Sequence, residues 1–579
     1  MRKYIIWIIA LIALVYANSL MGDFVYDDYL VIVNNDFIKS AGNLKLFFSP
    51  RYLTHPLEAE FNQGAYNIGS GEASYRPIPT LTYFFNYALF KLDPFGYRLT
   101  NLAVHILCAI MLYLLLNVIF AVPRMSFFAA VIFGIHPINA EVVNCTAFRP
   151  NSLALLFCLI AIILYFKFKN TQSRPRYRYL ATSLASAFLA VLSKEIAVFL
   201  PLALILCEYY QSALSLAKLL KNNAKIYLLY FGVDLIYLLV YFLLMPPTQA
   251  IIGRASLAIN FIRMLNVLGL YLKDMALPME LAMIDPMAIF NSWPFFYLGI
   301  FGFLGATLVI LNKNKLNPVI SFSVIWFFLW LLPMNNFLNS FRILAAYRYI
   351  YFSITGFAVL LGFLLSKIWQ QGLKNKLLRQ FAPFAFYGYF AIFCVSANAS
   401  WKDDLMLGIS LVEKNPASVF AHLNLGSVLS RYGNYPEAKK EYEIVLSQPD
   451  FIRHNPLYIS VINCNLGAIY MLEGDYKKAE QFYLTALKST PHLAHIYTKL
   501  GYCYAWQGEY DNALEHLAQA KKINPRFSPA YLNTGITYIL MNRYNEARIE
   551  FIQALAINPK YQEASDYLKK LEKSEKGRE

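Results

Sequence analysis

The sequence predicts an all-α protein in two parts, a polytopic bundle of membrane helices followed by a solenoid of helical repeats. The 579-residue chain is 58% hydrophobic, with a mean hydropathy of +0.42, which is too apolar for a soluble protein of this length. From about residue 418 the composition becomes that of a soluble protein and a repeat period appears. We therefore expect a membrane domain over residues 1–399, a linker over 400–417, a repeat domain over 418–560 and a capping tail over 561–579.

The charge is divided unevenly between these parts. Residues 1–399 hold 30 Lys+Arg against 15 Asp+Glu, whereas residues 400–579 hold 21 against 20. Almost all of the net charge of +16 therefore lies in the loops of the apolar part, which is typical of membrane topology rather than of nucleic-acid binding. The seven cysteines are scattered without a CxxC pair, so they predict no disulfide framework.

Eleven apolar stretches approach the roughly 20 residues that a membrane-spanning helix needs. The first, residues 4–21, follows Arg2 and Lys3 and has no small-residue cleavage site, which favours an uncleaved anchor. The others are 100–121, 126–142, 152–168, 179–193, 196–212, 225–245, 293–311, 318–334, 349–369 and 381–398. The stretch 257–278 is also apolar, but three charged residues interrupt it, so we expect an interfacial or re-entrant segment there.

The basic loops predict the orientation of the bundle. Lys and Arg are concentrated in the loops 167–178, 218–225, 313–315 and 374–379, which we therefore assign to the cytosolic side together with the N-terminus. The long loop 22–99 then faces the opposite side. An odd number of spans also places the repeats outside the cytosol. The expected location is the cytoplasmic membrane of a prokaryote or the endoplasmic reticulum membrane of a eukaryote.

The C-terminal part repeats a helix–turn–helix pattern. A glycine recurs at Gly426, Gly467, Gly501 and Gly535, and an alanine follows twelve residues after each, at Ala438, Ala479, Ala513 and Ala547. This is the pattern of tetratricopeptide repeats, in which the small residues lie where two helices touch. Four repeats exceed the three needed to bury a continuous core. Such arrays form concave peptide-binding surfaces, although a spacer or dimerisation module would show the same pattern.

Ionisable residues gather near span ends on the predicted outer side, where their cost at membrane depth suggests a function. They are Asp27, Asp28, Arg76, Arg98, His136, Glu141, Arg149, Lys194, Glu195, Arg342 and Arg348. Arginine and lysine suit the phosphate of a lipid-linked substrate, and a carboxylate suits the acceptance of a proton from an incoming hydroxyl. No Gly-rich phosphate loop and no HExxH spacing occurs, and an isolated Asp-Asp pair is a weak metal signal.

Each of these residues also has a structural interpretation. The adjacent Asp27 and Asp28 could cap a helix or solvate a loop. His136 precedes a proline and could end a helix, and Arg149 could reach from a span end to the membrane surface. Lys194 and Glu195 could form a local ion pair in a tight turn. Arg348, among tyrosines, could be an interfacial anchor.

Several strings taken in order resemble a known family. These are "FVYDDYLVIVNN", "YRPIPTLTYFFNYALFKLDPFGYRLTN", "HPINAEVVNCTAFRPNS", "LSKEIAVFLP" and "AAYRYIYFS", followed by the repeats. Together they resemble the transmembrane and tetratricopeptide-repeat O-mannosyltransferases and their prokaryotic relatives over nearly the whole chain. This chain departs from the family in "TAFRP", where a glycine commonly precedes the arginine, and in "SKEIA", where the family has a Cys-Lys-Glu string.

The resemblance implies a C-type glycosyltransferase fold, a polyprenyl-phosphate sugar donor, usually of mannose, and a Ser or Thr acceptor outside the cytosol. It places the catalytic base at Asp27 or Asp28 and donor-phosphate ligands at Arg98 and Arg149. His136, Glu141, Lys194 and Arg348 match motif positions of the family without an assigned role. Our own next candidate for the base is Glu141, and the further candidates for donor or substrate binding are Arg76, His136, Lys194, Glu195 and Arg348. The resemblance implies a single inverting displacement, with no cofactor expected and the metal requirement left open.

Two other functions remain open on the sequence alone. The same fold could transfer the sugar to a lipid or a surface glycan. The chain could instead be a membrane-anchored repeat scaffold without activity, although an anchor needs only one span. A transporter would show broken helices in two matching halves, and no such symmetry is present in the sequence.

Overall fold

The computed structural model describes residues 1–48, 75–173, 176–212, 214–244, 257–281, 292–334, 345–372, 376–448, 456–559 and 561–576, and every regular element in these ranges is helical. The predicted all-α fold class is thereby confirmed. The chain divides into two compact units, and the division falls between Ser418 and Val419. Arg342 and residues 49–74 of the predicted outer loop 22–99 lie outside the described residues.

The first unit contains the apolar helices of the chain. Its described α-helices are α1 (Arg2–Val15), α2 (Pro77–Phe90), α3 (Pro94–Phe120), α4 (Pro123–Ile135), α5 (Ala140–Asn144), α6 (Arg149–Asn170), α7 (Arg176–Val191), α8 (Leu200–Ser212), α9 (Leu216–Leu244), α10 (Leu257–Ala276), α11 (Trp293–Leu311), α12 (Pro318–Leu331), α13 (Ile354–Lys367), α14 (Lys376–Ser400) and α15 (Asp404–Lys414). Short 3-10 or π turns connect several of them, including Ala17–Met21, Tyr29–Val33, Pro137–Asn139, Thr146–Phe148, Glu195–Phe199 and Tyr347–Tyr349.

Six segments among the described residues are long and apolar enough to cross a membrane. They are Pro94–Phe120, Thr146–Asn170, Glu195–Ser212, Leu216–Leu243, Trp293–Leu311 and Phe381–Ser400. A seventh arises if Pro123–Ile135 and Pro137–Asn144, which meet at a bend of 48°, are one span. The apolar helices α12 and α13 are shorter. The protein is thus a membrane protein with several spans, and the figure of eleven remains a prediction.

Proline and capping residues set the helix ends that carry the candidate site. Helix α3 begins at Pro94 because the Asp93 side chain accepts a hydrogen bond from the backbone N–H of Phe95 at 3.0 Å, and proline fits the first helical position. Helix α4 ends before Pro137, whose ring disfavours helical geometry at the preceding residue. The span predicted over 126–142 is therefore bent rather than straight.

The segment predicted to be interfacial or re-entrant contains one unbroken helix, α10. It packs along α11 at a crossing that requires glycine. A Cβ atom on Gly299 would lie 1.9 Å from the carbonyl oxygen of Leu265, and one on Gly269 would lie 1.8 Å from that of Phe295. Small residues permit such close backbone contact between membrane helices. Residues 257–276 thus lack the break of a re-entrant loop. The flanking residues 245–256 and 282–291 are not among the described residues.

The second unit is an array of paired antiparallel helices. Its described helices are α16 (Val419–Arg431), α17 (Tyr435–Leu446), α18 (Pro456–Leu472), α19 (Tyr476–Ser489), α20 (Ala494–Gln507), α21 (Tyr510–Ile523), α22 (Ser528–Leu540), α23 (Tyr544–Ile557) and α24 (Gln562–Lys576). The four repeat alanines are fully buried. A Cβ atom on Gly535 would lie 2.5 Å from the Phe551 ring, so glycine is needed where the two helices touch.

The residues predicted as a linker contain helix α15 and belong to the first unit. The Asp403 side chain caps this helix by accepting a hydrogen bond from the N–H of Met406 at 2.8 Å. The region just before the repeats is therefore structured, and it contributes to the candidate site.

Candidate functional site

The acid pair lies in a tight turn soon after the first helix. The N–H of Asp28 donates to the carbonyl of Val25 at 3.0 Å, which closes a four-residue turn. Its second residue, Tyr26, has a φ of +53°, a left-handed conformation that is uncommon for residues other than glycine. Asp27 and Asp28 are only 5% and 1% exposed. Both carboxylates are therefore part of the packed interior rather than of a solvated loop.

The carboxylate of Asp28 is engaged on both oxygens. Oδ1 accepts the N–H of Ala147 at 2.7 Å, and Oδ2 accepts the N–H of Val25 at 3.2 Å. The thiol of Cys145 donates to Oδ1 at 3.4 Å. Burial raises the pKa of Asp28 to about 6, although the hydrogen bonds from Ala147 and Val25 oppose that rise. Asp28 thus joins the acid-pair turn to the Thr146–Phe148 turn.

Asp27 acts on different groups. Burial tends to lower the pKa of Arg348, but the negative charges of Glu141 and Asp27 outweigh burial, and the pKa is raised. The charge of Asp27 also contributes, after burial, to the raised pKa of Tyr26. The two neighbouring acids consequently influence different parts of the site, as expected for side chains that leave a turn in different directions.

Glu141 and Arg348 form a buried ion pair next to the acid-pair turn. Nη1 of Arg348 lies 2.5 Å from Oε1 of Glu141, and the backbone N–H of Arg348 donates to Oε2 at 3.3 Å. The side chains are 7% and 2% exposed. The guanidinium lies 4.3 Å from the ring centre of Phe148, a cation–π contact. The structure thus brings together two acids and a cation from distant parts of the chain.

Arg98 is held by three carbonyl oxygens from two segments. It donates to Ser19 at 3.0 Å, to Asp23 at 3.1 Å and to Trp401 at 2.8 Å. Each of its three guanidinium nitrogens already donates to the protein. Gly22 leaves space for this group, since a Cβ atom there would lie 2.5 Å from Cζ of Arg98. Arg98 therefore joins the first loop to the segment that follows α14, and its role as a phosphate ligand remains a prediction.

Arg149 is fully buried and similarly engaged. Nε donates to Asn101 at 2.6 Å, and Nη1 donates to Asn86 at 2.6 Å and to Thr82 at 2.8 Å. Nη2 donates to the carbonyl of Tyr97 at 3.1 Å. A buried arginine with these partners does not reach the membrane surface. Four of its five guanidinium N–H groups therefore donate to the protein, and its role as a phosphate ligand remains a prediction.

A second group of the predicted residues lies around Arg76, just before α2. Arg76 donates to both oxygens of Glu195, at 3.0 and 2.7 Å, in the forked geometry typical of Arg–carboxylate pairs. Lys194 donates to Asn151 at 2.5 Å. The Glu195 side chain is 40% exposed. The ring of Tyr349 lies near the first group, with its centre 5.3 Å from the guanidinium of Arg348.

His136 does not face the acid pair. Nδ1 accepts the N–H of Ile138 at 3.3 Å, which leaves Nε2 as the donor to the carbonyl of Met275 at 3.0 Å. The ring is fully buried and packs against Phe390. These contacts hold the bend between α4 and α5. They match the interpretation in which His136 ends a helix, and they show no open position for a substrate.

Two of the cavities among the described residues of the first unit bear on the site. A small cleft of about 20 Å³ is bordered by Glu141, Tyr347, Ser400 and Trp401. A larger cavity of about 170 Å³ lies among α10, α11, α12 and α13, and is lined almost wholly by apolar groups such as Leu272, Val309, Phe327 and Leu360. No group of three or more His, Cys, Asp or Glu residues suited to a metal ion occurs among the described residues.

Sequence reasoning missed several residues that build this site. Tyr26, Cys145, Phe148, Trp401 and Asp404 surround the acid pair or its partners. The string "SWKDD" at 400–404, which ends the last apolar stretch with an aromatic residue and two acids, was the available signal. It resembles the end of the first span, where an apolar run also gives way to two acids.

Comparisons with known proteins agree with the repeats and with the resemblance. Two tetratricopeptide repeat family models match residues 458–526 and 506–571. The chain is 25% identical over 453 residues to protein O-mannosyl-transferase F38B6.6 of Caenorhabditis elegans, an alignment that covers 75% of this chain and 61% of that protein. It is 30% identical to TMTC3 of Mus musculus over 33% of this chain and 20% of that protein. It is 31% identical to TMTC1 of Homo sapiens over 26% and 16%.

The chain therefore spans less than two thirds of the length of these curated relatives. The similarity is nevertheless spread over most of this chain in the nematode protein, and the repeats are matched separately. The homologues of this chain are named protein O-mannosyl-transferases of the TMTC family, and the chain, with its apolar helices and tetratricopeptide repeats, fits that family.

Proposed function

We propose that the chain is a membrane glycosyltransferase that moves a sugar, mannose in view of the relatives' names, from a polyprenyl-phosphate donor to Ser or Thr hydroxyls of extracytoplasmic proteins. The observation that carries the proposal is the buried turn of Asp27 and Asp28 beside the Glu141–Arg348 ion pair. The cluster supports the proposal because carboxylates that could accept a proton lie near a guanidinium in the unit that contains the apolar helices.

Asp27 is the proposed base. Asp28 uses both oxygens to hold the Ala147 and Val25 backbones, so it is the better anchor of the two. In a single inverting displacement, Asp27 would accept the acceptor's hydroxyl proton while the oxygen forms a bond to the anomeric carbon. The bond between that carbon and the phosphate oxygen breaks, and the electron pair leaves with the lipid phosphate.

The cations of the cluster would stabilise the charge on the leaving phosphate. Arg76 is the most accessible candidate, because its partner Glu195 is 40% exposed and the pair could open towards a ligand. Arg348 pairs with Glu141 and interacts with the charge of Asp27. Lys194, Arg98 and Arg149 are also deeply buried, and each already donates to protein acceptors.

The apolar cavity among α10 to α13 supports a lipid-linked donor. Its apolar lining suits part of an isoprenoid chain, since pockets that bind apolar ligands are lined mainly by hydrophobic side chains. The tetratricopeptide repeats support a protein acceptor, because such arrays commonly bind peptides on their concave face. In this proposal the acceptor and the donor phosphate meet on the extracytoplasmic side.

One experiment tests the proposed function directly. The purified full chain in detergent or lipid nanodiscs is incubated with a polyprenyl-phosphate mannose and a pool of Ser/Thr-containing peptides. We expect a hexose mass increase on a subset of peptides and its loss in Asp27→Asn. Transfer to an added lipid or glycan without any peptide product would instead show that the acceptor is not a protein. If no polyprenyl-phosphate sugar supported transfer, the proposed enzyme function would fail, and the membrane-anchored repeat scaffold would be the remaining alternative.

A further inference from the structure

The segment after the last apolar helix lies against the acid-pair turn. The N–H of Asp23 donates to the carbonyl of Lys402 at 2.7 Å, and Arg98 donates to the carbonyl of Trp401 at 2.8 Å. Three residues further along the first loop, the N–H of Tyr26 donates to Oδ1 of Asp404 at 2.6 Å. Residues 401–404 therefore follow the first loop closely, although almost 380 residues separate the two segments.

Tyr26 is the residue in this turn whose backbone most needs support. Its φ of +53° is in the left-handed region, which is unfavourable for a residue with a large side chain and persists only where the surroundings impose it. Its N–H lies in a partly buried region and needs an acceptor. Asp404, which is 5% exposed, supplies that acceptor as a carboxylate.

The acid pair depends on the conformation of this residue. Asp27 and Asp28 follow Tyr26 directly, and the turn is closed behind them by the bond from the Asp28 N–H to the Val25 carbonyl. The Asp28 carboxylate is fixed on the Val25 and Ala147 backbones. The direction in which Asp27 leaves the chain is therefore set by the backbone at Tyr26.

We propose that Asp404 is a positioning residue for the acid pair, which it orients by holding the Tyr26 backbone in the left-handed conformation. The inference rests on the proposed function, in which Asp27 takes the proton. Asp404 does not itself touch the reacting atoms. It fixes the corner of the turn on one side while Asp28 fixes the other, so that Asp27 is directed towards the Glu141–Arg348 pair.

The test uses two variants of Asp404 and one neighbouring control. Asp404→Ala removes the acceptor of the Tyr26 N–H, whereas Asp404→Asn keeps an oxygen that can accept it. Asp403→Ala removes the cap of α15 but leaves the contact with Tyr26. This control separates a general weakening of α15 from the loss of the contact to the turn.

The kinetic measurement is transfer from polyprenyl-phosphate mannose to the peptide pool by the full chain. Displacement of a catalytic group by about 1 Å can lower the rate about 100-fold, so we expect Asp404→Ala to lower kcat by between about tenfold and 100-fold with the donor KM changed by less than about twofold. Asp404→Asn should recover most of kcat, and Asp403→Ala should stay near the parent. Equal losses in Asp404→Ala and Asp403→Ala would overturn the inference.

Amide hydrogen exchange in residues 22–31 gives a second measurement that does not depend on activity. Faster exchange is expected in Asp404→Ala but not in Asp404→Asn or Asp403→Ala. Unchanged exchange in Asp404→Ala would overturn the inference even if activity fell. If the parent protein transferred no sugar, the proposed function would fail, while the exchange difference would still decide whether Asp404 holds the turn.

Discussion

Glu141 and Arg348 approach each other to 2.5 Å in the interior of the first unit, although 207 residues separate them in the sequence. Removal of one partner from a buried ion pair leaves the other charge without compensation, which typically costs about 3–5 kcal/mol. We therefore expect Glu141→Ala to lower the stability of the membrane unit strongly, as a large decrease in Tm in detergent or as a loss of purifiable protein.

Glu141→Gln is the matched variant, because it keeps the size of the side chain and an oxygen that can accept from Arg348. Its Tm should lie between those of the parent and Glu141→Ala. If Glu141→Ala were as stable as the parent but inactive, Glu141 would act in catalysis rather than in the support of Arg348, and the base assignment would have to be reconsidered.

Asp28 predicts a specific pH dependence of stability. Its pKa is raised by burial from 3.8 to about 6 in the folded protein, so the folded state binds the proton more tightly than the unfolded state does. The stabilisation from this proton is fully present below about pH 4 and is lost as the pH rises through 6. Two pKa units correspond to about 3 kcal/mol. The parent should therefore lose stability as the pH rises from 4 to 6. Asp28→Asn should not show this loss.

The measurement is thermal unfolding of the parent and Asp28→Asn at a series of pH values in one detergent. The slope difference between the two proteins isolates Asp28, because the other titrating groups are common to both. Parallel stability curves would mean that Asp28 titrates in the folded protein as it does in the unfolded chain. The raised pKa of Asp28 in the folded protein would then be wrong.

Arg149 is expected to stabilise the fold. Arg149→Lys keeps a positive charge, but one ammonium group cannot replace the bonds to Asn101, Asn86 and the Tyr97 carbonyl together. Each buried polar group left without a partner costs about 1–3 kcal/mol. The expected result is a clear decrease in Tm, measured together with the donor KM. An unchanged Tm with a donor KM raised at least tenfold would favour the predicted role as a phosphate ligand.

Much of the fold was readable from local sequence. Hydrophobic length predicted the apolar helices, and the spacing of glycine and alanine predicted the repeat pairs, because both signals depend on residues close in the chain. Pro137 directly after His136 also marked the end of α4. For residues 257–278 the sequence left an interfacial or a re-entrant segment open, and tertiary structure shows one unbroken helix, α10.

The hydrogen-bond partners within the site could not be predicted from local sequence. The sequence indicated that Arg98 and Arg149 were candidates for function, but their hydrogen bonds go to carbonyl and amide groups supplied by other segments. Such pairs depend on tertiary packing, and polar backbone acceptors have no sequence signature. For the same reason, Asp404 appeared only as part of an apparent linker.

The orientation of the chain can be tested without the reaction. The basic loops predict that the repeats lie outside the cytosol. A reporter enzyme that is active only outside the cytosol, fused after residue 579, should be active in cells, and the same reporter inserted in the loop 313–315 should be inactive. The reverse pattern on stable fusions would place the acid pair on the cytosolic side and exclude an extracytoplasmic acceptor.

Asp27 and Asp28 give the most direct test of the mechanism, because substitution by asparagine keeps the size of each side chain and removes its basicity. General-base assistance typically contributes about 100- to 10,000-fold to a rate, so Asp27→Asn should lower kcat by at least about 100-fold with its stability and donor binding nearly unchanged. Asp28→Asn should be milder, since an amide oxygen can still accept the Ala147 N–H that Asp28 holds at 2.7 Å. Both are compared with the parent by the rate of peptide mass increase under saturating donor.

If Asp28→Asn lost more activity than Asp27→Asn, and the rate of the parent rose with pH through about 6, Asp28 would be the base and Asp27 its neighbour. If both variants transferred sugar at the rate of the parent, the proton would go to another group, and the next variant to examine would be Glu141→Gln.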